Sequence, residues 1–260
     1  MTEIISIANQ KGGVGKTTTV VNLGVSLAQM KKKVLLVDLD PQGALSAGLG
    51  IKANELEYTI YDVMMDEHLA TNRAIQPIQA YLDLLPADND LAAAEIELIP
   101  EIRRELVLRR VLQSLENWYD YILIDCPPSL SLLTVNALSA SNGIIVPLQC
   151  EFFAIRVVEM LLDSINRTRE RINPNLELMG ILATMYSTGT IHSREVLEQL
   201  RALYGDKVFD IVIYKSIRFA EASVANKSIV EYSSKHKGAR AYRKLADLLV
   251  ERNEVHQPTL

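Results

Sequence analysis

Lys11-Gly12-Gly13-Val14-Gly15-Lys16-Thr17-Thr18 places three glycines and a second lysine ahead of a Lys-Thr pair, directly after an apolar run and at the start of a helical pattern. Glycines let consecutive backbone N–H groups curl around phosphate oxygens, and the start of the following helix adds its positive dipole end. In such a loop Lys16 reaches the β- and γ-phosphates and the Thr17 hydroxyl ligates Mg²⁺, the chemistry of an ATP site. The usual pattern has glycine six residues before the Lys-Ser/Thr pair, but Gln10 stands there, followed by the additional Lys11. Two acidic motifs complement the loop. Val37-Asp38-Leu39-Asp40-Pro41 carries two carboxylates that alternation turns to the same side of an emerging strand. One can sit by a metal while the other orients water or takes its proton; the plainer reading is a turn cap before proline. Ile122-Leu123-Ile124-Asp125 ends an apolar run on a carboxylate, as a strand presenting an acid to Mg²⁺ does.

The elements that must hold these groups follow from periodicity. Residues 4–8, 34–38, 82–86, 121–125, 143–148, 179–185 and 208–213 read as buried strands. Helical patterns fill 16–30, 91–115, 155–171, 193–204 and 238–252. Alternating β and α elements predict an α/β fold, a mostly parallel twisted sheet flanked by helices on both faces. Ligands of such sheets gather beyond the carboxyl ends of the strands, where all three motifs fall.

With 260 residues, 48% of them hydrophobic, the chain can bury one substantial core, and no linker or repeat divides it. No run approaches the ~20 apolar residues of a membrane helix, and nothing resembles a secretory leader. Cys126 and Cys150 lie in apolar contexts without metal-ligand spacing, which fits a reducing compartment. Residues 201–260 hold 11 Lys/Arg against 7 Asp/Glu on a chain of net charge −5, so any anion-facing surface belongs there; a solvated helix face is the plainer reading. Lys31-Lys32-Lys33 reads as a helix terminus with cations on the dipole. His192 and His236 read as surface residues, and Trp118, Tyr119 and Tyr121 as packing at the start of the Asp125 strand.

The loop, Asp38-Leu-Asp-Pro-Gln-Gly, Ile124-Asp-Cys-Pro-Pro-Ser and Val146-Pro-Leu-Gln-Cys-Glu151 together resemble the ParA/Soj group of deviant-loop ATPases. The likeness covers nearly the whole chain and is most specific over the first 150 residues. It implies one P-loop domain over residues 1–260, with 201–260 its more basic portion, using ATP and Mg²⁺. It further implies a dimer enclosing two ATP molecules, with Lys11 reaching the partner's nucleotide. By the same resemblance Lys11, Lys16 and Asp40 are catalytic, and Thr17, Asp38 and Asp125 lie on the metal side. Residues 11–18 (Lys11, Gly12, Gly13, Val14, Gly15, Lys16, Thr17, Thr18) hold the phosphates. The implied partners are a second copy, nonspecific double-stranded DNA and a ParB-like or cargo-adaptor protein that stimulates hydrolysis. The implied place is cytoplasmic and nucleoid-associated, without a stable membrane anchor, and the task is positioning a plasmid, chromosome or other cargo.

Arg218 aligns with a DNA-contacting arginine of the family; Lys215, Lys235, Lys237, Arg240, Arg243 and Lys244 join it on charge and proximity. Two segments depart from the pattern. Thr184-Met185-Tyr186-Ser187-Thr188-Gly189 lacks the Asp and Arg usual after Thr-Met, and Ile213-Tyr214-Lys215-Ser216 replaces Ile-Pro-Arg-Asn near the base-binding edge. The alternatives are a MinD-like membrane-cycling ATPase, disfavoured by the polar tail 251–260, and an iron–sulfur reductase of the same superfamily, disfavoured by the placing of the two cysteines.

Overall fold

Val34–Asp38 and Tyr121–Asp125 are buried at every position, as strands covered on both faces must be. The computed structural model describes residues 2–151, 154–189 and 191–256. In chain order its strands are β1 (Glu3–Ile7), β2 (Val34–Asp38), β3 (Gln76–Gln79), β4 (Leu82–Leu85), β5 (Tyr121–Asp125), β6 (Gly143–Gln149), β7 (Glu177–Tyr186) and β8 (Val208–Tyr214). They form one sheet in the order β3-β4-β2-β5-β1-β6-β7-β8. All neighbours are parallel except β3 and β4, an antiparallel edge pair. The α-helices are α1 (Lys16–Gln29), α2 (Ala44–Gly48), α3 (Ile60–Met65), α4 (Leu91–Glu97), α5 (Val107–Gln113), α6 (Leu132–Ala140), α7 (Ala154–Arg171), α8 (Ile191–Tyr204), α9 (Ile217–Val224), α10 (Ile229–Tyr232) and α11 (Lys237–His256).

Strand alternation splits the core into two layers. Ile4, Leu35, Ile122 and Ile144 pack with Leu108, Leu133, Leu161 and Leu200 of α5, α6, α7 and α8. Ile5, Leu36, Leu123 and Ile145 pack on the other face with Leu23 and Leu27 of α1 and Leu245 and Leu249 of α11. Helix α1 lies close because Gly24 faces β2; a Cβ there would meet Leu36 Cδ2 at 2.6 Å. This approach seats the start of α1, and hence the phosphate loop, over the middle of the sheet.

The single helix expected over 91–115 is two, α4 and α5, separated by turns and a short 3₁₀ segment. Pro100 lies in the gap, and Arg103 takes a left-handed backbone with φ 60°, so the apolar spacing continues through a chain that does not. Strand β3 carries no alternating apolar signal, being an exposed edge. Helix α1 ends at Gln29 and Lys31 turns left-handed (φ 61°), so the lysine run lies beyond the helix rather than in its last turn. Tyr119 and Tyr121 are buried, but Trp118 is 55% exposed, correcting its expected packing role. Of the expected polar tail, 251–256 form the end of α11 and 257–260 lie outside the described residues.

Candidate active site

The phosphate loop joins β1 to α1 across the sheet's carboxyl edge, and its shape is held from several sides. Asn9 Nδ2 donates to the Pro147 carbonyl (2.7 Å), while its Oδ1 accepts the Lys11 N–H (2.9 Å). Thr184 Oγ1 at the end of β7 donates to the Val14 carbonyl (2.7 Å), and Thr19 Oγ1 donates to the Gly15 carbonyl (2.7 Å). Gly13 and Gly15 have φ of 72° and 90°, conformations costly to a side chain bearing Cβ. Lys16 is buried, with Nζ bending back toward the Lys11 carbonyl (3.4 Å). Burial pulls its ammonium below the usual range, against the attraction of Asp125.

Lys11 points elsewhere. Its ammonium is ion-paired with the Glu151 carboxylate beyond β6, and both side chains are roughly half exposed. The two lysines of the loop therefore face different places. Lys16 turns into its own loop and Lys11 turns out of it.

Asp38 and Asp125 are register partners at the carboxyl ends of β2 and β5, both essentially out of solvent. Asp38 Oδ2 accepts the Ser46 N–H (2.8 Å) and Ser46 Oγ–H (2.7 Å), and Oδ1 accepts the Asp40 N–H (3.3 Å). Burial nonetheless pushes the Asp38 carboxyl up to about 6. Neither Asp125 oxygen has a hydrogen-bond partner. Burial and the neighbouring Asp38 drive the Asp125 carboxyl well above the carboxylate range, while the Thr17 hydroxyl and the Lys16 charge oppose this. Asp40 is half-buried just past the edge, its Oδ1 accepting the Gln42 N–H (3.0 Å).

Among the described residues the buried side-chain polar atoms left without a partner are both Asp125 oxygens, Gln10 Nε2 and Ser131 Oγ. Asp125 ends β5 and Gln10 lies in the loop after β1, so at these two the cost of an unpaired group falls where a ligand would remove it. The residues fit a metal–nucleotide complex better than a free metal. No cluster of three His, Cys, Asp or Glu side chains able to hold a cation occurs among the described residues. Mg²⁺ takes one or two carboxylates with phosphate oxygens and water, which matches Asp38, Asp125 and Thr17 beside a phosphate loop.

The cations expected to face DNA gather at one corner. Lys215 follows β8, Arg218 lies in the first turn of α9, Lys235 precedes α11, and Lys237, Arg240 and Lys244 lie along its first three turns, all exposed. Arg218 is paired with Glu221 (2.7 Å). Arg243 differs: its guanidinium donates to the carbonyls of Ser234 (2.7 Å) and Val230 (3.2 Å), which ties α10 to α11. Sequence reasoning missed Ser46, which bonds Asp38 across a loop and Ala87 beyond it, and Thr184, whose hydroxyl acts 170 residues away on Val14. It also missed that His236, half-buried, bonds on both ring nitrogens.

A family model described as an AAA domain matches residues 2–178. The chromosome partitioning protein ParA of Caulobacter vibrioides is 45% identical over 98% of this chain and 96% of its own. The sporulation initiation inhibitor protein Soj of Bacillus subtilis is 44% identical over 95% and 97%. A crystal structure from Mycobacterium smegmatis named cobyrinic acid a,c-diamide synthase, with bound ADP and magnesium, matches with TM-score 0.88 at 39% identity, over 99% of this chain and 97% of that one.

Proposed function

The chain belongs to the ParA/Soj family of partition ATPases, with ATP and Mg²⁺ as its cofactors, and on that premise we propose a nucleotide-switched dimer that loads onto DNA. The observation that carries the proposal is the opposed setting of the two loop lysines. Lys16 serves the chain's own phosphates, whereas Lys11 is exposed and its ammonium is paired, among the described residues, with Glu151, a carboxylate it can exchange for phosphates across an interface. A cation delivered from a second copy stabilises the charge of phosphoryl transfer only once the dimer closes, so closure and turnover are linked.

In this reading the loop N–H groups and Lys16 hold the phosphates. Asp38, Asp125 and Thr17 hold the metal side, where Mg²⁺ neutralises phosphate charge. Asp40, closer to solvent than Asp38, positions the attacking water. The dimer brings Lys215, Arg218, Lys235, Lys237, Arg240 and Lys244 of two copies onto one duplex, for sequence-blind, salt-sensitive binding. A ParB-like or cargo-adaptor partner then stimulates hydrolysis and release. Among the described residues no helix is long and apolar enough to cross a membrane. The name of the mycobacterial structure suggests amide synthesis, but ammonia transfer from glutamine needs a reactive thiolate. Cys126 and Cys150 are buried, their thiols pushed up to about 12 and about 11 by desolvation.

Sedimentation tests the switch. The wild type should be a monomer with ADP and a dimer with ATP and Mg²⁺, while Lys11→Ala should bind ATP yet remain monomeric. A Lys11→Ala protein that dimerises like the wild type would refute the assignment.

A further inference from the structure

The cations proposed to meet DNA sit on two elements that sequence keeps apart, the β8–α9 junction and the start of α11. One imidazole joins them. His236 immediately precedes α11, and its Nδ1 accepts the Gly238 N–H (3.0 Å). Its Nε2 lies 3.2 Å from Ser216 Oγ, which precedes α9 and accepts the Arg218 N–H (3.2 Å). A ring nitrogen that accepts a backbone N–H carries no proton. The ring is therefore the neutral Nε2–H tautomer, donating to Ser216. It also stands edge-on to Phe219 (6.1 Å, 88°), itself edge-on to the buried Tyr242. Gly238 permits this contact, since a Cβ there would lie 2.6 Å from Phe219 Cζ and 3.1 Å from His236 Nδ1.

We propose that His236 is a positioning residue, capping α11 and bridging to the α9 cap so that Lys215 and Arg218 are held in register with Lys235, Lys237 and Arg240 as one polyanion-binding surface. The inference rests on the DNA reading above. His236 touches no phosphate and, being neutral, adds no charge. Its effect is to set how many cations engage one duplex at once. That number is measurable, because the slope of log K against log salt is about −0.9 per neutralised phosphate.

The test measures binding of the full chain, with ATP and Mg²⁺ at pH 8, to random-sequence duplex DNA over a series of salt concentrations. His236→Asn keeps a side-chain acceptor for α11 but is too short to reach Ser216. Ser216→Ala removes the bridge from the other side together with the α9 cap, and leaves the α11 cap intact. Each should flatten the salt slope by about two phosphates and weaken binding about 10–30-fold near 0.15 M salt. The double variant should do no worse than either single one, because all three lose the same bridge. His236→Gln, long enough to donate to Ser216, should recover most of the slope. Melting temperatures within a few degrees of the wild type mark the variants as folded, and Ser216→Ala carries the test if His236→Asn does not fold. A wild-type slope in Ser216→Ala, additive losses in the double variant, or weaker binding at unchanged slope would each overturn the proposal. If the wild type binds no DNA in any nucleotide state, it is the DNA reading that fails.

Discussion

Replacing Asp38 by Asn should stabilise the nucleotide-free protein while impairing its chemistry. The buried Asp38 carboxyl rises from its ordinary 3.8 to about 6, which corresponds to about 3 kcal/mol of charge burial. The folded protein thus holds this proton more tightly than the unfolded chain. The cost is absent below about pH 3.8, grows as pH rises through the window to about 6, and is complete above it. An Asn can still accept the Ser46 N–H and Oγ–H, losing the longer 3.3 Å bond from the Asp40 N–H, a loss of about 1 kcal/mol. The net expectation is a gain of about 2 kcal/mol at pH 8 that falls with pH, changes sign at roughly pH 4.5 and becomes a loss approaching about 1 kcal/mol below pH 3.8. Relief of the repulsion felt by Asp125 adds to it. Denaturant melts of both proteins at several pH values, without nucleotide, isolate the difference. Mg²⁺-ATP should stabilise the wild type strongly and Asp38→Asn weakly. A variant no more stable than wild type at pH 8, or a difference independent of pH, would refute the reasoning.

Asp40→Ala should bind ATP and dimerise but turn over at least about 100-fold more slowly; normal phosphate release would move the water-positioning role elsewhere. Gly43→Ala should cost about 1–2 kcal/mol, because the backbone is left-handed there (φ 60°) and the new Cβ would lie 2.9 Å from the Ala87 carbonyl oxygen. Ala87 N–H is bonded to Ser46 Oγ, so the strain should reach Asp38 as weaker Mg²⁺-ATP binding; an unchanged melting temperature would count against it. Thr184→Val removes the donor to the buried Val14 carbonyl and should destabilise the protein by about 1–3 kcal/mol, with looser nucleotide binding seen by fluorescent-analogue titration. Wild-type stability and affinity would mean that the loop does not depend on this bond.

The parts of the site readable from sequence are those whose chemistry and position coincide along the chain. A glycine-rich turn between strand and helix carries its own meaning, and Asp125 stands out by closing four apolar residues. Asp38 and Asp125 meet because β2 and β5 are neighbours, which alternation of elements implies only as a class of sheet. The supports are hidden for a different reason. Thr184 and Val14 are 170 residues apart, and a threonine at a strand end has many ordinary explanations. His236 looked like a surface residue because its partners, Ser216 and Phe219, lie on α9 and its approach. The lysine counts located a basic portion but could not separate Arg243, spent on two carbonyls, from its exposed neighbours. Pro100 was the visible warning that 91–115 is not one helix.

In the proposed switch the nucleotide state, through a site completed by Lys11 of a second copy, decides whether the basic corner holds DNA. The most direct test is affinity for random-sequence duplex DNA with ATP, with ADP and without nucleotide, each at 50 and 200 mM salt. Binding should be tight with ATP alone and fall by orders of magnitude between the two salt concentrations. Equal affinity in all three nucleotide conditions, or no binding with ATP, would contradict it.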